Sequence, residues 1–580
     1  MNLLKAIVPL LAIFTIACTD DPTSDSTPTT PTGAYYVDAE SGNDSNDGLS
    51  PSTAFATLAK LNTKKLFGGN QILLKRGQRH YGQLKIANVS ATLDNQLFVG
   101  GYGNGDKPIV DGQGELAAIY IIATNYITID GLEITADGPR GEPVESDDTI
   151  TARCSRYGVL FDSVESGAWR GITLRNLDVH DVFYYAKGYV RPSEERQSEN
   201  QESGECFGHG IVIYHIYDYG ATAIEDITIE NCNVERVSHT GIKCYGGIKN
   251  IKVTGCNAIN TGAPGMQFSE VDTGYAAYNK VLGAGAGFDV DTRNKCRASG
   301  FWVFGTNDFL VEHSEFRNCR GQNDSAGVHI DYGCKNVVYQ YNVSENNAGG
   351  FCEILGDNYN CAYRYNISIN DGYRTKGVLA SDKGETIVGK SNGSIILLSP
   401  WSMIYRYDPD NPDAGPFEVY FYNNTIYSNV DNPWISIYRH SRGILMMNNI
   451  FYSENDIKAS SDEVADGAPV QEPGYYRETF KNNLFVKGKW PEPEISAPFA
   501  DSDPVDIFDP FSASTVGGNT IEDYKPINSK VKGGIKIPRI EGDNIGLTIP
   551  EFDITLEVTK DIMGNTVDPE NPGLGAIVYQ

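Results

Sequence analysis

ITIENCNV (227–234) is followed by IKVTGCNA (251–258), and the two align residue for residue, with Cys232 and Cys256 24 positions apart. The same short β-type run recurs on both sides of this pair. Before it stand ITIDGLEI (127–134) and ITLRNLDV (172–179). After it come FLVEHSEF (309–316), VVYQYNVS (337–344), CAYRYNIS (361–368), EVYFYNNTI (418–426) and ILMMNNIF (444–451). Asn342 and Asn366 are again 24 apart, and Asn424 and Asn449 are 25 apart. A fixed period with no helical pattern inside it predicts an all-β solenoid. Successive coils of a solenoid stack equivalent residues about 4.8 Å apart. The period is therefore a ruler for finding neighbours that are distant in sequence.

A single solenoid can absorb the 580 residues that would otherwise suggest several domains. The 61 Gly and 34 Tyr suit tight corners and flat strands better than a helical globule. A net charge of −28 argues against a nucleic-acid partner, which needs a basic face. It also disfavours direct docking on a polyanion without a bridging cation.

Residues 1–17 read as a signal peptide: Lys5 gives a positive start, and Ala6 to Ala17 is apolar. Residues 18–33 are a Thr/Pro/Asp/Ser tether with nothing to bury. Residues 34–489 are expected to form the solenoid with an entrance cap. YYVDAESGNDSNDGLSPSTAFATLAKLN (35–62) combines a strand, a loop and a short amphipathic stretch, with Ser52 or Thr53 as the helix cap. Residues 490–580, rich in Pro, Asp and Gly, are expected to pack along the solenoid and close its far end. Long inserts at 136–156, 184–207, 267–299, 379–416 and 454–478 leave from coil corners and are expected to build a binding wall. Cys232 and Cys256 read as small apolar core residues in one column, and no Cys/His spacing suggests zinc.

Several stretches resemble exported right-handed parallel β-helix proteins of the pectate-lyase-like superfamily. They are Tyr35-Tyr36-Val37-Asp38, Ser41-Gly42-Asn43-Asp44 and Asp47-Gly48-Leu49-Ser50-Pro51, then Gly101-Tyr102-Gly103 and Pro108-Ile109-Val110-Asp111-Gly112. Asp561-Ile562-Met563-Gly564 and Gly573-Leu574-Gly575-Ala576 resemble the ends of such chains, and 331–351 their glycosidase-like members. The resemblance implies a right-handed parallel β-helix and the company of polysaccharide lyases and glycoside hydrolases of Bacteroidetes. Thr15-Ile16-Ala17-Cys18 resembles a lipobox, although Thr15 replaces the usual Leu. It implies lipidation at Cys18 and an exported lipoprotein of a Gram-negative bacterium, at the outer membrane, cell surface or periplasm. Of the polygalacturonase motifs only Gly208-His209-Gly210 is present, so that mechanism is not carried over.

Used as a ruler, the amide column places His329 over Glu353. In GVHIDYG (327–333), Val328 and Ile330 point inward, and His329 and Asp331 point outward. GIKCYG (241–246) and GFWVFG (300–305) then add Lys243 and Trp302 to one outward column. A solvent-exposed face would favour Thr, Ser, Asn and Val, so this column reads as a site. Asp331 and Glu353 differ by one coil and one pleat, on the order of 8 Å, which permits both retaining and inverting glycosidase chemistry and mildly favours inversion. His329 would orient Glu353, with Asp324 in reserve as a catalytic carboxylate. Trp302 would stack on sugar, and Lys243, Asp357 and Arg320 would bind substrate. Trp401, Tyr405 and Tyr407 offer further sugar platforms, and Asp289, Asp291 and Arg293 would line the cleft.

The leading expectation is a glycoside hydrolase acting on a polysaccharide or oligosaccharide, monomeric, with no obligatory cofactor. The alternative is a polysaccharide lyase with Lys243 or His329 as base, assisted by Arg320, Lys243 or a calcium ion held by Asp324 and Asp331. A non-catalytic glycan-binding protein and a structural adhesin share the same fold.

Overall fold

The computed structural model describes residues 33–138, 155–163, 167–183, 207–214, 224–285, 298–321, 323–377, 391–409, 411–438, 440–459, 479–489, 505–543 and 545–580. The signal peptide, Cys18, nearly all of the tether, and Asp289, Asp291 and Arg293 lie outside the described residues, as does most of the inserts at 136–156 and 184–207.

Every pairing between the described strands is parallel, from Ala34–Val37 to Leu484–Lys487. Parallel neighbours joined through successive coils give a right-handed parallel β-helix. A 24-stranded sheet makes two of its three faces and a 13-stranded sheet the third. Ile242–Thr254 shows how two faces share one sheet. Its first half pairs with Phe207–Tyr214 and its second half with Ile224–Glu230. The bend falls at Gly246 and Gly247, whose φ values of 86° and 58° are costly for a residue with a Cβ.

The coil repeat is set by a corner and an amide. Tyr341, Tyr365, Asn423, Asn448 and Asn482 each take a left-handed conformation, turning the chain inward. The next residue in each case is a buried asparagine: Asn342, Asn366, Asn424, Asn449 and Asn483. Each amide oxygen accepts the backbone N–H of the ladder residue one coil earlier, as from Asn342 to Asn366 at 2.9 Å and from Asn424 to Asn449 at 2.8 Å. The Asn366 side-chain amide donates back to the Tyr339 carbonyl at 3.0 Å. Earlier in the chain Cys232 and Cys256 hold the same column, buried and free.

Three expectations are corrected. The segment 267–299 is not an insert throughout, because Met266–Ala277 and Lys280–Leu282 continue the coil. Its pattern is blurred by Gly274, over which the Phe309 ring packs. Within 379–416 and 454–478, the strands Ile396–Leu398 and Lys458–Ala459 likewise belong to coils. At the entrance, Ser50 caps the 3-10 turn Pro51–Thr53, and Thr57 caps the short helix Leu58–Leu61.

The interior is one continuous aliphatic and aromatic core. Two of the outer faces are covered in their C-terminal half by residues 505–580. Phe508, Phe511, Tyr524 and Leu574 pack on Ile367, Ile450 and Leu484 of the 13-stranded sheet. Ile537, Ile549 and Val558 pack on Val338, Tyr420 and Leu445 of the next face. The remaining face carries the charged column. Among the described residues no helix is long and apolar enough to cross a membrane.

Candidate active site

Strand register builds the outward column one residue at a time. Lys243 pairs with Gln267, Gln267 with Trp302, Trp302 with His329, His329 with Glu353, and Glu353 with Leu397. Val328 and Ile330, on either side of His329, are in the core, so the alternation holds. The outward column is nevertheless dry: Trp302, His329 and Glu353 are 6%, 1% and 6% exposed. The residues of the column cover one another.

Trp302 stacks on the His329 ring with centroids 4.8 Å apart and planes 11° apart. Its indole N–H donates to Asp331 Oδ2 at 3.0 Å. Trp302 is thus a wall that fixes His329 and Asp331, in place of the free sugar platform expected. The imidazole sits between the two carboxylates. Nδ1 is 3.6 Å from Glu353 Oε2, and Nε2 is 4.0 Å from Asp331 Oδ1. Asp331 Oδ1 also accepts its neighbour Tyr332's N–H at 2.8 Å.

Asp324 joins them from a left-handed corner (φ 45°). Ligand atoms of Asp324, His329 and Glu353 all lie within 4.8 Å of one another. That corner is held by Arg374, whose Nη1 donates to the carbonyls of Gly321 (3.2 Å) and Asp324 (2.8 Å). Its Nε donates to Ser391 O at 3.0 Å. Burial pushes Glu353 up to about 7, with the Asp324 and Asp331 charges adding to this and His329 and Arg374 opposing it. Burial also raises Asp331, against the pull of His329, the Tyr332 N–H and the Trp302 N–H.

The structure therefore brings together Asp331, Glu353, His329, Asp324 and Trp302. Lys243 lies three strands from His329, about 14 Å by strand spacing. There its charge adds to burial in keeping His209 and His239 low, their rings 4.7 Å apart. The Arg320 guanidinium acts on Tyr373, and the cation acting on Glu353 is Arg374. Asp357 occupies the corner after Glu353, its N–H on the Ala414 carbonyl at 2.7 Å, and burial raises its carboxyl. Sequence reasoning missed Gln267 and Arg374. Gln267 was hidden by the misplaced insert. Arg374 leaves the strand register before it reaches the site, so no spacing marks it.

No protein-family model matches this chain, and no curated protein matches it in sequence. Solved structures match its fold. A lacto-N-biosidase of glycoside hydrolase family 136 from Eubacterium ramulus is 17% identical, with 82% of this chain and 67% of that chain covered, at a TM-score of 0.45. XylC in complex with xylose is 10% identical, with 94% and 99% covered, at 0.47. Pectate lyase Pel9A is 15% identical, with 94% and 96% covered, at 0.33. All three TM-scores lie below 0.5.

Proposed function

We propose that this protein is a polysaccharide-degrading glycoside hydrolase in which Glu353 is the general acid and Asp331 the partner carboxylate. The observation that carries the reading is the buried carboxyl of Glu353, pushed up to about 7, facing Asp331 across an imidazole. Glycosidic cleavage needs one carboxyl that keeps its proton near neutral pH and one that gives its proton up. Burial and the neighbouring carboxylates hold the proton on Glu353, which would pass to the leaving-group oxygen. Asp331 receives two N–H donors, which favour its ionised form, and would activate water on the other side of the sugar. One coil and one pleat put the pair on the order of 8 Å apart, which permits both outcomes and mildly favours inversion. His329 keeps the two carboxylates apart and orients them. The segment 1–18 supports export as a lipoprotein anchored at Cys18.

One observation favours cation-assisted β-elimination on a uronate glycan as a second reading: the convergence of Asp324, His329 and Glu353. An imidazole with two carboxylates suits a transition-metal dication better than calcium, which takes six to eight oxygens. The calcium pair expected was Asp324 with Asp331; the converging trio contains Asp324 and not Asp331.

The test is a polysaccharide panel read for reducing ends and for the ultraviolet absorbance of an unsaturated product, with and without chelator. Hydrolysis predicts reducing ends alone and no effect of chelator. Asp331→Asn and Glu353→Gln should each lower kcat by at least about a hundredfold with the circular dichroism unchanged. Full activity in both variants would sink the assignment.

A further inference from the structure

The turn that follows Glu353 carries a second feature. Leu397, its strand partner, leads into a segment tied to that turn at both ends. Ser399 N–H donates to Ile354 O at 3.1 Å, and Gly356 N–H donates to Trp401 O at 3.0 Å. Asp357 N–H donates to Ala414 O at 2.7 Å. Between these anchors Ser402 caps the short helix Met403–Tyr407, its Oγ accepting the Tyr405 N–H at 3.2 Å. The inner side of this helix is fixed to the next coil. Tyr405 packs edge-on to His440 at 5.5 Å, and the His440 Nε2 lies 3.0 Å from the Pro409 carbonyl.

The outer side is left bare. Trp401, Met403 and Tyr407 are 49%, 41% and 80% exposed. They stand within seven residues of one another on a backbone that is pinned rather than loose. Exposed apolar side chains gathered in one place, unlike scattered single ones, mark interaction sites or ligand-binding grooves. Here the link to the site is covalent and hydrogen-bonded: Trp401 is bound to Gly356, three residues beyond Glu353 and on the side of Asp357. The occupant that fits is the glycan whose cleavage is proposed at Glu353. A pyranose has an apolar face of C–H bonds and a rim of hydroxyls, which suits an indole face with a phenol beside it.

We propose that Trp401, with Tyr407 and Met403, is a platform that holds the length of glycan leaving the cleft past Asp357, so that long chains are preferred to short ones. This rests on the hydrolase reading for its effect on turnover, but not for binding. The experiment has two arms. In the first, the Glu353→Gln protein with and without Trp401→Ala/Tyr407→Ala is run through gels cast with xylan, pectin or alginate. At least one polymer should retard the Glu353→Gln protein, and the added pair should weaken that retention about tenfold, with Trp401→Phe retaining most of it. In the second, the ratio of kcat/KM on that polymer to kcat/KM on a short oligosaccharide should fall about tenfold in Trp401→Ala/Tyr407→Ala.

Retardation by none of the three polymers overturns the proposal, as does an unchanged ratio. A change in oligomeric state alone would mark the patch as a self-association surface and overturn it too. Polymer binding lost in the variant, in a protein that cleaves nothing, would keep the platform and remove the hydrolase.

Discussion

Burying Glu353 carries a cost that its proposed role as general acid would use. Its carboxyl ordinarily titrates near 4.5 and is pushed up to about 7 in the fold. Its ionisation should therefore set the alkaline limb of kcat/KM near pH 7. On the proposed mechanism the acid limb would follow Asp331, raised above its ordinary 3.8. As pH rises from 4.5 to 7 the unfolded chain releases the Glu353 proton before the folded one does. Folding is weakened across that window, by up to about 3 kcal/mol above pH 7. Glu353→Gln should remove the penalty, giving a higher Tm than the parent at pH 8 and a similar one at pH 4.5. Trp302→Phe keeps the stack on His329 but removes the N–H from Asp331. Because that bond favours the carboxylate, its loss should move the acid limb to higher pH, a shift that merely loosened packing would not produce.

At the scale of the element, the coil corner joins a left-handed residue to a buried amide that receives the N–H of the ladder residue one coil earlier. Asn366→Leu should leave the Asn342 N–H and the Tyr339 carbonyl without the partners they now have. Each orphaned group costs about 1–3 kcal/mol, so a loss of about 3 kcal/mol is expected, read by chemical denaturation. This ladder was legible in the sequence because its spacing repeats. The coil at Met266–Leu282 was not, because Gly274 breaks the apolar pattern where Phe309 fills the space from the neighbouring strand. That one misreading removed Gln267 from the column, while Trp302, His329 and Glu353 kept their register.

Across the whole molecule, the C-terminal region covers two outer faces and leaves the third for the site. Ending the chain after Lys489 should expose Tyr420, Leu445, Ile450 and Leu484 together. Such a truncation should aggregate or bind a hydrophobic dye, measured by size-exclusion chromatography and fluorescence. The sequence by itself determined the solenoid, its period and the neighbourhood of His329, Glu353 and Asp331, because β-stacking turns a fixed spacing directly into adjacency. It could not determine which outward residues are dry. Burial of Trp302 and Glu353 comes from the side chains that close over them and from a corner pinned by Arg374, which the period does not index. Only the tertiary structure decided that Arg374 holds the Asp324 corner beside Glu353 and that Lys243 stands three strands from His329. The charge state of Glu353 was decided there as well, since it depends on how much water the packed side chains exclude.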